Sequence, residues 1–126
     1  MYDDIEELAK IYDLFINGIK SFSSDFEKQY ERLKYAVIAD ELASDFSEVD
    51  LARARILYKN DWITKEQMDI VVEIEHHLEE MNKNKSLWST EAVKGAKEWA
   101  ECREMGRKLL NSLGYKFLEL TTNDIF

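Results

Sequence analysis

The 126 residues, 45% hydrophobic and 12% aromatic, can build one buried core and fall short of two ordinary domains; that aromatic content excludes a disordered chain. Twenty-six acids against 17 bases leave a formal charge of −9. This argues against a nucleic-acid binder, whose clustered Lys and Arg neutralise phosphates, and favours a basic protein partner.

One cysteine, no basic-then-apolar leader and no run of the roughly 20 apolar residues that span a membrane lead to the expectation of a cytoplasmic, soluble protein without disulfides or membrane contact. Proline is absent and glycine occurs four times, too little punctuation for the tight turns of a β fold, so helices are expected throughout.

The first helix is expected from Asp3 to about Ser21, with Ile5, Leu8, Tyr12, Phe15, Ile19 and Phe22 spaced as one apolar stripe. Ser24 and Glu27 have the spacing of a capping box and predict a second helix that runs to Phe46. It carries two stripes, Phe26–Tyr30–Leu33–Val37 and Tyr35–Ile38–Leu42–Phe46, on different faces. A shorter helix is expected from Ser47, ended by the turn KNDWIT. Thr64 and Gln67 repeat the capping-box spacing and open a fourth helix to about Asn82, with Val71, Ile74, Leu78 and Met81 facing inward. After the polar break NKNK, a last long helix is expected from Ser86 or Ser89 to Leu113, where Gly114 suits a left-handed cap. The tail YKFLELTTNDIF, from about residue 115, reads as a short helix or an extended strap. The fold class is all-α: one compact domain, a bundle of about five helices.

Candidate chemistry is sparse. Gly95 and Gly106, eleven residues apart, return to nearly one helix face and are expected to let another helix approach. Arg103 lies in the same stripe and either pairs with Asp40 or Glu41 or keeps its head at the edge of the interface. His76 and His77 are adjacent, so they point about 100° apart, and they are read as solvated surface residues rather than ligands. Glu73 and His76 have the Glu-x-x-His step of di-iron bundles, but the second motif such a site needs is missing. Cys102 reads as a small core residue. No catalytic residue, metal site or cofactor is expected.

The pairs Asp45/Glu48 in DFSE and Glu66/Asp69 in EQMD resemble the acidic steps by which all-helical nucleotide pyrophosphatases hold magnesium. That resemblance implies a magnesium-dependent hydrolase, the alternative to a binding protein; a structural adaptor is a third. No basic cluster for phosphates accompanies the pairs, and acids near helix starts also suit the macrodipole.

The acids themselves carry the leading reading. Residues 40–50, DELASDFSEVD, hold Asp40, Glu41, Asp45, Glu48 and Asp50 without a Lys or Arg, and residues 66–80 hold Glu66, Asp69, Glu73 and further acids, again without a base. Tyr58 and Trp62 stand near the turn between them. Neighbouring helices would join the runs into one acidic surface with aromatic anchors, the composition of a docking site for a basic protein. In size, class and charge the chain is similar to small helical immunity proteins of bacteriocin and contact-toxin systems. The expected function is non-catalytic inhibition of a basic partner, such as a toxin nuclease.

Overall fold

A computed structural model describes residues 4–33 and 37–115. Tyr35 and nearly all of the tail expected after Tyr115 lie outside the described residues. Helix α1 (Ile5–Phe22) starts at Asp4, whose carboxylate accepts the Glu6 N–H at 2.9 Å. Of the expected stripe, Leu8, Phe15, Ile19 and Phe22 are buried and Tyr12 is half-buried, while Ile5, in the first turn, stays exposed.

The second helix differs from expectation at both ends. Ser24 does not cap it: its hydroxyl donates to Lys20 O at 2.7 Å and closes α1 instead. Helix α2 (Phe26–Leu33) begins one residue after Asp25, whose carbonyl accepts the N–H groups of Lys28 and Gln29 at 3.1 Å. The chain is extended again at Val37, and α3 (Ile38–Ser44) starts there. The two stripes therefore belong to two helices. Phe26 and Leu33 are half-buried while Tyr30 and Val37 are exposed; Ile38, Leu42 and Phe46 are fully buried.

Where a new helix is expected at Ser47, none begins. Helix α3 runs on through a π-helical segment, Asp45–Asp50, into α4 (Leu51–Lys59), forming one continuous rod. Ser47 is not a cap; its hydroxyl donates to Glu75 Oε1 at 2.7 Å. The widened turn is marked by the Leu51 N–H, which donates to Phe46 O, five residues back. Four-residue steps along an α-helix drift by about 40°. A wide π turn cancels that drift, so Leu42, Phe46, Asp50, Ala54 and Leu57 all face inward.

The rod ends as KNDWIT predicts, with Asp61 left-handed at φ 63 and the Trp62 N–H bonded to Leu57 O at 2.8 Å. Helix α5 (Lys65–Met81) opens with the expected box: Thr64 Oγ1 accepts the Gln67 N–H at 3.1 Å, and Gln67 Oε1 accepts the Thr64 N–H at 2.8 Å. The last long helix is divided. Ser89 caps α6 (Thr90–Gly95), Ala96 is extended, and α7 spans Lys97–Ser112. Gly114 is left-handed at φ +94, and the Tyr115 N–H reaches Leu110 O at 2.9 Å, as in a Schellman cap.

The rod lies antiparallel to α1, with ring contacts Tyr12–Trp62 at 5.8 Å and Phe22–Phe46 at 5.0 Å. Helices α5 and α7 are antiparallel too: Gln67 Nε2 donates to Ser112 O at 3.0 Å, and His77 Nε2 lies 3.0 Å from Glu98 O. One apolar core draws on α1, the rod, α5, α6 and α7. Trp99 is buried there with its Nε1–H on Leu87 O at 2.8 Å.

The two glycines of the expected packing stripe part company. A Cβ on Gly106 would overlap the Ser23 hydroxyl of α1, whereas Gly95 has open space around it and only ends α6. Cys102 is buried beside Met81, and burial pushes its thiol up to about 12. No helix among the described residues is long and apolar enough to cross a membrane.

Candidate functional site

The acids of residues 40–50 do not share one face. Asp40 and Glu48 line a groove of about 440 Å³ between the rod and α5, whose floor is Ala43, Leu78 and Trp88 and whose far wall carries Glu79. Glu75, held by Ser47, stands beside them. The groove's lining holds no basic residue; Lys85 reaches its edge through Asn82 at 3.4 Å. Glu41 is exposed. The rod and the C-terminal half of α5 thus join Asp40 and Glu48 to Glu75 and Glu79, and Trp88 supplies the aromatic surface.

The rest of the expected docking surface lies elsewhere. At about 100° per residue, Glu66, Asp69 and Glu73 fall roughly 100–160° around α5 from the Glu75/Glu79 edge. All three are exposed, and Asp69 pairs with Lys65 at 3.2 Å. Tyr58 is exposed and Trp62 is half-buried against Tyr12. Ten residues of rod, about 15 Å, separate Glu48 from Tyr58, so these aromatics do not border the groove.

Asp45 and Asp50 turn the other way, into a cleft of about 360 Å³ between the rod and α1. Asp50, expected on the docking surface, is instead 3% exposed and sits in the inward stripe set by the π segment. It fits there because Gly18 has no Cβ; one built at that position would overlap the Asp50 carboxylate. Among the described residues the nearest cation, Arg53 Nη1, is 3.7 Å from Oδ1, beyond hydrogen-bond length. Burial pushes the Asp50 carboxyl up to about 7 against the opposing pull of Arg53, with Asp45 adding to the rise and Arg32 opposing it.

Asp45 and Glu48 therefore face different cavities and do not act as one carboxylate pair. Among the described residues, no three His, Cys, Asp or Glu side chains come together as a metal site would need. His76 is exposed as expected, but His77 is half-buried against α7, and since a carbonyl only accepts, its Nε2–H donates to Glu98 O. Arg103 pairs with neither Asp40 nor Glu41: the break at Val37 takes them off the helix that carries the Phe26 stripe. Its Nη1 donates to Val93 O at 3.2 Å, and burial, with Arg107 nearby, lowers its pKa.

Sequence reasoning missed three residues: Gly18, Trp88 and Arg107. The last donates from Nε to Ser23 O at 3.0 Å and from Nη2 to Asp25 at 2.8 Å. Set against known protein-family models, characterised proteins and solved structures, the chain matches none.

Proposed function

We propose that the protein is a non-catalytic docking module that seats a basic segment of another protein in the groove between the rod and α5, and so blocks that partner, in the manner of an immunity-type inhibitor of a toxin such as a nuclease. The observation that carries the reading is the groove's composition: Asp40, Glu48 and Glu79 around an apolar floor that ends on half-buried Trp88. Carboxylates steer a basic partner and discriminate against acidic ones, while the Trp88 ring offers an apolar anchor. Glu66, Asp69 and Glu73, on another flank of α5, add to the long-range field without touching the seated segment.

The test is surface plasmon resonance against the basic protein recovered by affinity capture, at several salt concentrations. Glu48→Lys with Glu79→Lys should slow association about tenfold or more at low salt, with the wild-type rate falling as salt rises, because steering is screened over about 8 Å at physiological ionic strength. Trp88→Ala should chiefly raise the dissociation rate. Binding that ignores both salt and the charge reversal would make the groove a solvated surface only.

A further inference from the structure

The geometry points to a second site: the cleft between α1 and the π segment binds a small zwitterion, an ammonium and a carboxylate on one apolar body, the chemistry of a free apolar α-amino acid. The cleft, at about 360 Å³, is within the usual range of small-molecule sites, about 300–1,000 Å³. Its walls include Leu14, Phe22, Leu42 and Val49, and among the described residues its charged groups are two of each sign, Asp45 and Asp50 with Arg32 and Arg53. With equal charges around it, neither a lone cation nor a lone anion uses the whole lining. A zwitterion uses both.

Depth sets the orientation. Asp50 is buried to 3% exposure, no side chain among the described residues donates a hydrogen bond to it, and Arg53 stays 3.7 Å away. A buried carboxylate so poorly satisfied is costly unless it is protonated or meets a cation. Arg32 is exposed at the mouth, and the Arg53 side chain is 28% exposed. The ammonium therefore enters first, towards Asp50, and the carboxylate stays outward, on the two guanidinium groups. Two features built into the fold maintain this floor: the π turn that directs Asp50 inward, and Gly18, which leaves room for the carboxylate. Wide π turns recur at functional sites for this kind of redirection. Burial raises the Asp50 carboxyl to about 7, and an arriving ammonium favours its charged form, so binding near neutral pH is accompanied by release of a fraction of a proton.

The experiment is isothermal titration calorimetry of the full chain with L-leucine and L-phenylalanine, at pH 7 in two buffers of different ionisation enthalpy. Saturable binding of at least one, with net proton release, is expected. Asp50→Asn should weaken it at least tenfold and abolish the release. Arg53→Gln should weaken it while the release persists. 3-Methylbutylamine and 4-methylpentanoate, each with one of leucine's two charges, should bind at least tenfold more weakly than leucine. No saturable heat with either amino acid would overturn the proposal, as would undiminished affinity in Asp50→Asn or an amine that binds as tightly as leucine. If Asp50→Asn does not fold, as judged by circular dichroism, Arg53→Gln and the two analogues decide.

Discussion

The two sides of the rod put the same kind of residue to opposite uses. Towards α5, Asp40 and Glu48 keep their carboxylates at an open groove; towards α1, Asp50 is shut in against Gly18 with a distant Arg53. Acids on the first side cost the fold little and act outward through their field. On the second side, an acid occupies a position that packing would give to an apolar residue, and its ionisation is coupled to folding. Position relative to the π turn, and not local composition, decides which role a carboxylate takes.

The largest effect should come from breaking the inward stripe itself. Phe46→Ala, which removes a fully buried ring packed against Phe22, should cost about 3–5 kcal/mol in urea denaturation. A loss below about 1 kcal/mol would mean that the π segment is not held by the core.

Next comes Asp50. Its folded value of about 7 lies above the ordinary 3.8. Below about pH 4 the carboxyl is protonated in both states and contributes nothing. As pH rises from about 4 to 7 the unfolded chain loses this proton first, so this group's contribution to stability falls, and above about 7 the full penalty remains. At about 1.4 kcal/mol per unit, the penalty is at most about 4 kcal/mol. Asp50→Asn should therefore be more stable than wild type at pH 8, about equal at pH 4, and flatter between them. An unchanged slope across pH 4–8 would contradict the burial of an ionisable Asp50.

Gly18→Ala sharpens the contrast from the other helix. The added methyl meets the Asp50 carboxylate and should cost about 1–3 kcal/mol, whereas Gly95→Ala, with open space around it, should be neutral or stabilising by about 0.5 kcal/mol. Smallest of all, Asp40→Lys, Glu48→Lys or Glu79→Lys should each change stability by less than about 0.5 kcal/mol, because exposed charges contribute little. A thermal melt series is enough to rank all five.

Much of the fold was legible because helices announce themselves by spacing. The stripes of α1 and α5, the Thr64–Gln67 box, the KNDWIT turn and the Gly114 cap stand where the sequence puts them. The break at residue 37 was not legible, since no proline or glycine marks it and the segment keeps helical periodicity, while at Ala96 the preceding Gly95 was a signal that the packing reading of the two glycines absorbed. The π turn was hidden for a related reason. A phase shift that keeps Leu42, Phe46 and Asp50 in line looks, in sequence, like a stripe that ends in a stray acid. That acid was the usable signal: Asp50 falls four residues after Phe46 and eight after Leu42, at a core position. The presence of surplus acids was readable from composition, but their division between groove and cleft depends on which helices flank the rod, and a single sequence does not show that.

The clasp made by Arg107 has a temporal meaning. It ties α7 to Ser23 and Asp25, 84 and 82 positions earlier in the chain, and Gly106 seats the same helix on Ser23. During synthesis, α1 leaves the ribosome long before the helix that covers this end of it exists, and its last turn, at Phe22 and Ser23, lacks that cover meanwhile. Closing a loop of that length adds little entropy cost for each further residue, but it cannot begin until α7 has emerged. A nascent chain stalled within α7 would therefore lack this closure, and arrival of the Arg107 turn is the step that ties the end of α1 into the bundle.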